Sequence, residues 1–425
     1  MADRAKSFLL TEEIIFTHAK GEVNLTGAYT KIRIEEDLFE HSMSCVLLAL
    51  DTTGQLDDLD FDGTETFRLG FKSEPEEDDQ IDLLFRCYKI ETQLSSDGSN
   101  AKQYQLFGVT PEHYTQSTMD INQSFRLPIN QGVQKVLEKV NAAVTRKKKR
   151  KIDVHETDGL YTYIVPGMTP YETMDFLAKR SYSAKYKASL YTFYENSKGF
   201  NFHNVEKLIE DGRDDPITYT YNPNVNTNQN DPNRDQQHEI ESITFKPVKN
   251  PMARIKSGAY ASQVAEINLL EQTLDTQALL VKENFKDFIH LDGKGMSLDS
   301  LAMIDDSLNV INNTHWKYND GVNTNIAPII PNRKFYQESL GTVEADVTVP
   351  GDSNLHAGMV IRISMLEQNA KSDGKQEEPK ITGNYLITKL NHFITRNEYI
   401  CNMIVNKESF RPNVDDPSKN VVAGK

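Results

Sequence analysis

The feature that most constrains the fold is a pattern that occurs twice. Residues 383–406, GNYLITKLNHFITRNEYICNMIVN, alternate around a polar turn: Tyr385, Ile387 and Phe393 precede Arg396-Asn397, and Tyr399, Cys401, Met403 and Val405 follow it. Period-two alternation on both sides of a turn predicts a β-hairpin. Three hundred residues earlier, FRCYKIETQLSSDGSNAKQYQLFGV sets Phe85, Cys87, Lys89 and Ile90 at the places of Tyr385, Ile387, Lys389 and Leu390. Upstream, TFRLGF aligns with VIRISM, which places Phe67 with Ile361, Arg68 with Arg362, Leu69 with Ile363 and Phe71 with Met365. Both copies then insert a polar loop before the hairpin, SEPEEDDQ in one and EQNAKSDGKQEEPK in the other. Shared strand order and loop position predict an internal duplication, two small β-barrels of one design.

Between the copies the period changes. After Pro128, Val133, Val136, Leu137, Val140 and Val144 fall on one helical face. In MTPYETMDFLAKRS, Thr169 can cap a helix, Pro170 suits its first position and Glu172 completes a capping box, while Tyr171, Met174, Leu177 and Ala178 form its apolar stripe. An aromatic hairpin turned at Asn196–Gly199 follows, and HNVEKLIED closes the block. Residues 221–239 are rich in Asn, Asp and Pro and read as a loop or arm. The segment 257–289 is ambiguous: Leu270, Leu274 and Val281 suit a helix, Val264 and Leu280 suit strands.

A chain of 425 residues is expected to divide into several cores. The reading is an α+β, β-rich chain: a first β-barrel domain (1–117), a mixed α/β domain (118–212), a second, discontinuous β-barrel domain (213–256 and 338–412), an inserted domain (257–337) and a flexible C-terminal tail (413–425). With 38% hydrophobic and 26% charged residues it falls in the soluble globular class. No apolar run approaches the ~18 residues of a membrane span, and MADRAKSFLLTEEIIF has no signal-peptide pattern, so synthesis in the cytosol is expected. Cys45, Cys87 and Cys401 lie far apart, as buried free thiols would. A net charge of −15 argues against gripping nucleic acid, since phosphate binding needs a basic surface; an acidic wall past which DNA slides is compatible with it.

The strings that could carry chemistry have plainer readings. Asp58, Asp60, Asp62 and Gly63 match the first half of a calcium loop, but its twelfth position, which needs a bidentate Glu, is Leu69; a tight acidic turn is expected, with no metal. The ten histidines include no H-E-x-x-H. DGKGMS at 292–297 has neither phosphate-loop nor dinucleotide spacing, and there is no G-x-S-x-G. RKKKRK at 146–151 reads as a helix-end loop that complements the helix dipole, its functional version being contact with an acidic patch on a neighbouring subunit. The aromatic cluster at 182–202 reads as domain core rather than ligand cage. No catalytic, cofactor-binding or metal residues are expected, and no pattern marks the interface residues.

The order of these elements resembles the central hub proteins of contractile bacteriophage baseplates. The residues that carry the resemblance are IRIEEDLFEHSMSCVLLALDTTGQLDDLDFDGTETFRLGFK, VPGMTPYETMDFLAKRSYS with LYTFYENSKGFNFHNVEKLI, KSGAYASQVAEINLLEQTLDTQ, and VPGDSNLHAGMVIRISM with GNYLITKLNHFI and EYICNMIV. The arm at 221–239, the basic run and the tail after Phe410 match no motif of that family. The resemblance implies a virion protein without catalysis, a homotrimeric adaptor between a six-fold tail tube and a three-fold spike. Its partners would be itself, tube or tube-initiator proteins, the central spike protein and baseplate wedge proteins, with DNA passing through its lumen. The competing expectations are a tail-associated cell-wall hydrolase and a carbohydrate-binding surface protein.

Overall fold

The computed structural model describes residues 9–56, 61–73, 81–94, 101–146, 148–186, 189–221, 237–246, 261–269, 271–280, 288–293, 311–317, 326–365 and 381–408. Its first strands are β1 (Leu9–His18), β2 (Gly21–Asn24), β3 (Tyr29–Asp37), β4 (Ser44–Asp51), β5 (Thr66–Ser73), β6 (Ile81–Leu94) and β7 (Lys102–Val109). The middle of the chain holds α1 (Pro111–Gln116), β8 (Ile121–Leu127), α2 (Ile129–Ala143), β9 (Lys151–Val154), β10 (Tyr161–Met168), α3 (Pro170–Ala178), β11 (Tyr191–Asn196), β12 (Gly199–Asn204) and α4 (Val205–Gly212). Then come β13 (Ile217–Tyr221), β14 (Ser242–Lys246), β15 (Ala261–Asn268), β16 (Thr273–Leu280), β17 (Ile311–Lys317), α5 (Ile326–Ser339), β18 (Val343–Pro350), β19 (Val360–Met365), β20 (Gly383–Thr395) and β21 (Tyr399–Lys407).

The β-rich α+β class is observed, and the two strand sets repeat one pattern of neighbours. The first runs β1-β5-β6-β7-β4-β3 and the second β13-β19-β20-β21-β18-β14. The registers match too. Phe67 pairs with Phe85 as Ile361 pairs with Tyr385, and Val46 with Phe107 as Asp346 with Ile404. Each long strand also breaks register at the same place, between Cys87 and Lys89 in β6 and between Ile387 and Lys389 in β20. A bulge puts one extra residue on one strand, so the inward parity changes there. Cys87 and Ile90 therefore turn to the same side across a spacing of three, as Ile387 and Leu390 do. The copies differ at one edge: β1 runs antiparallel to β5, whereas β13 runs parallel to β19.

Closure differs from expectation. The two expected barrels are halves of one thirteen-stranded sheet, joined where β3 pairs with β20, and among the described residues neither half closes on itself. One apolar core runs through both, with Phe16, Ile34, Phe67 and Phe85 in the same cluster as Tyr219, Val347, Tyr385 and Met403. Cys45, Cys87 and Cys401 are buried in it as free thiols.

The middle block has its own core. Val133, Val136, Leu137 and Val140 of α2 pack with Tyr171, Met174 and Leu177 of α3 and with Tyr191, Phe193, Phe200 and Phe202 of the β11–β12 hairpin. Thr169 and Glu172 form the predicted capping box, and Asn196 pairs with Gly199 across a two-residue turn. The ambiguous segment is resolved as strands: β15 and β16 are antiparallel, with β17 parallel to β15 on its other side. Of the three residues that suited a helix, Leu274 lies on β16 and is 63% exposed, and Leu270 and Val281 lie outside the described residues. The loops at 74–80 and 366–380, most of the arm at 221–239, and the tail at 413–425 lie outside the described residues.

Candidate assembly edges

The joint between the two strand sets shows how this chain makes a strand-to-strand contact. On one side of β20, Gly383–Leu386 pair with β19; beyond the bulge the same side receives β3, from Lys389 opposite Asp37 to Thr395 opposite Lys31. The amide of Leu38 donates to the bulge carbonyl of Thr388 at 2.8 Å, which joins the two ladders. Ile32 and Ile34 from β3 and Leu390, His392 and Ile394 from β20 are buried. Lys389 stands between the carboxylates of Glu35 and Asp37, and Arg396 at the hairpin turn donates to the carbonyl oxygens of Tyr29 and Gly27. Alternating apolar contacts, a charge pair at the rim and a capped end make this a complete edge contact.

Glu36 ties the joint to the middle block. Its carboxylate accepts from the amide of Ser197 in the β11–β12 turn at 2.6 Å and from the amide of Ala357, before β19, at 2.9 Å. Three separate parts of the chain therefore converge on one buried acid. Burial pushes its pKa up to about 7, against the two amides, which favour the ionised form. Beside it, Thr192 donates to the carbonyl of Leu38, and His41 contacts Asp175 at 2.9 Å, a pairing that raises the imidazole pKa.

The basic run is built into the fold. Lys149 donates to the carbonyls of Asn141 and Val144 at the end of α2, Arg150 donates to the carbonyl of Asn196 at 2.6 Å, and Arg146 pairs with the buried Glu112 at 2.8 Å. The two bonds from Lys149 satisfy helix C-terminal carbonyls, as the dipole reading expects, while Arg150 and Arg146 tie the run to the β11–β12 turn and to α1. Of the calcium-like string, Asp58 and Asp60 lie outside the described residues. Asp62 accepts from the amide and hydroxyl of Thr64, and Glu65 accepts from the amides of Asp62 and Gly63, whose φ is 84°. Both carboxylates are occupied by their own turn. In DGKGMS, the start is the turn holding Asp292, which is buried against the fully buried Lys407 at 2.5 Å. Among the described residues no group of three His, Cys, Asp or Glu side chains is placed to hold a metal ion.

Sequence reading missed the buried polar groups. His155 and His203 stack at 4.0 Å, and desolvation holds their pKa values down to about 4 and about 2. Glu206, on α4, is fully buried and pushed up to about 8 by desolvation. In sequence these were single polar residues among many, and their burial comes from segments far along the chain.

Several strands have an open side among the described residues, and two of these sides match the joint. β14 pairs with β18 and has no second strand among the described residues. On β6 the side that carries β5 is occupied as far as Cys87, whose amide donates to Glu65; beyond the bulge, from Lys89 onward, that side has no strand among the described residues. Glu91, Thr92 and Gln93 there are exposed.

Neither a protein-family model nor a curated protein sequence matches the chain. Solved structures do. The fold is similar to that of the 43 kDa tail protein of prophage MuSo2 from Shewanella oneidensis, with a TM-score of 0.52, 8% identity, and coverage of 94% of this chain and 100% of that one. The tail protein of Neisseria meningitidis MC58 gives a TM-score of 0.48 at 8% identity over 93% of this chain and 96% of that one. A component of the type VI secretion system of E. coli gives 0.40 at 9% identity, over 91% and 76%. At such identities the likeness is one of fold, and the fold is that of a phage tail protein, in accord with the hub resemblance drawn from the sequence.

Proposed function

We propose that this chain is a structural virion protein, the hub of a contractile-tail baseplate. It forms a homotrimeric ring that adapts a six-fold tail tube to a three-fold central spike, with a lumen through which DNA passes without specific binding. The observation that carries this reading is the pair of strand sets with equal neighbours and registers inside one sheet. Two equivalent sets in each of three chains present six equivalent units to a six-fold partner, while the chain itself keeps three-fold symmetry for the other. The tail-protein fold supports the same assignment. Tube or tube-initiator proteins, the spike and the surrounding wedge proteins are its partners, and it needs no catalytic group or cofactor. In this reading the four-part division at 117, 212, 256 and 337, with the second strand-rich domain resumed at 338–412, describes the units that make these contacts.

Electron microscopy of the purified chain at high concentration, with end-on views classed by symmetry, tests it. A hollow three-fold ring with six lobes is the expected result. Compact single particles with no ring would count against the hub.

A further inference from the structure

The internal joint can be carried to the sheet's free edges by the equivalence of the two strand sets. β3 and β14 occupy the same place: Ile32 pairs with Leu47, and Ile243 with Val347, where Leu47 and Val347 in turn pair with the equivalent residues Leu106 and Met403. Arg33 then corresponds to Thr244, Ile34 to Phe245 and Glu35 to Lys246. By the matched bulges, Asn391, His392 and Phe393 of β20 correspond to Glu91, Thr92 and Gln93 of β6. Within the chain, β3 lies on β20 with Glu35 opposite Asn391, Ile34 opposite His392 and Arg33 opposite Phe393. The corresponding strands, β14 and β6, have their matching sides open among the described residues. Burial records the difference: His392 is 1% exposed beneath β3, whereas Thr92 at the same place is exposed.

We propose that β14 of one copy of this chain pairs antiparallel with the open side of β6 in a second copy, in the register Glu91 opposite Lys246, Thr92 opposite Phe245 and Gln93 opposite Thr244. The inference rests on the hub reading and deepens it by naming the contact between subunits. The occupant is a second copy because β14 is this chain's own counterpart of the strand that fills the same position on β20. Charge agrees with the register: Glu91, paired in its own chain with Lys89, and Lys246, paired with Glu344, carry opposite signs where they would face each other, and opposite charges directly across an antiparallel pair are favourable. The two surfaces differ, so the contact is head-to-tail; it propagates around a ring and closes if the rotation per chain divides a full turn.

Mixing two singly substituted chains under oxidation tests this. A Gln93→Cys chain mixed with a Thr244→Cys chain should give a disulfide-linked dimer, because directly opposed residues lie within bridging distance. Controls on the same face, Gln93→Cys mixed with Ser242→Cys or with Lys246→Cys, should give about tenfold less, since the diagonal neighbours lie beyond disulfide reach. The native cysteines are buried and stay out of the reaction. Light scattering on the unsubstituted chain separates the failures. A ring that forms with no preference for the Thr244→Cys partner would overturn the strand pairing and leave the hub reading standing. A chain that stays monomeric and gives no cross-link would overturn both.

Discussion

Glu36 shows what one residue carries here. Its folded pKa, pushed up to about 7, lies above the value near 4.5 that it has when exposed, so the folded state holds the proton over that window and the unfolded state does not. The linked contribution is fully present below about 4.5 and is lost as pH rises through about 7, a difference of the order of 3 kcal/mol. Glu36→Gln removes that titration and also turns an amide donor toward a backbone N–H, a mismatch worth about 1–3 kcal/mol. Thermal unfolding of both proteins between pH 4.5 and 8 should show the variant less stable at the acid end, with the gap narrowing as pH rises; a gap independent of pH would remove Glu36 from the titration. Lys407 gives a second case. It is fully buried against Asp292, and a Cβ on Gly383 would overlap its ammonium, so the pair depends on that glycine. Lys407→Met should cost about 3–5 kcal/mol in denaturant unfolding by leaving Asp292 unpaired, and adding Asp292→Asn should recover part of it. Neither site was legible in the sequence, where Glu36 stood in an acidic run and Lys407 in a polar strand end.

Among elements, the duplication was legible and the joint was not. The repeated hairpin could be read because its spacing is irregular: apolar positions at 85, 87 and 90 match 385, 387 and 390, and a bulge shared by both strands produces that break in alternation. The capping box of α3 was equally plain, since Thr169 and Glu172 lie only three positions apart. The pairing of β3 with β20 joins segments more than three hundred residues apart, and the alternation in each strand is the same whichever strand lies beside it. Barrel closure, which is not seen among the described residues, could not be read from the sequence for the same reason. Because the joint puts both strand sets in one core, Ile32→Ala, at 1% exposure, should cost about 2–5 kcal/mol and lower one common transition in calorimetry. Two separated transitions with only one displaced would show that the sets unfold independently.

For the whole molecule, the proposed β14–β6 contact, repeated from copy to copy, would build a ring. A chain bearing both Gln93→Cys and Thr244→Cys should give a covalent ladder on oxidation whose largest rung has the number of subunits counted in end-on images. A ladder that runs past that number would mean an open filament. The tail-protein fold was legible as a resemblance spread over the chain, although the identity to the MuSo2 protein is only 8%. Order of elements and the placement of loops outlast individual residues, because the core requires alternation and volume more than particular side chains.

The joint between β3 and β20 also has a mechanical meaning. Its ladder spans Lys389 to Thr395, with hydrogen bonds that lie across the strands. A pull along the strands loads all of those bonds together, whereas a pull across them would open the ladder one rung at a time from an end. Arg396, donating to the carbonyls of Tyr29 and Gly27, clamps the end from which such peeling would start. Under a load along the strands the seam therefore yields only as a unit, and the two strand sets stay one sheet until it does.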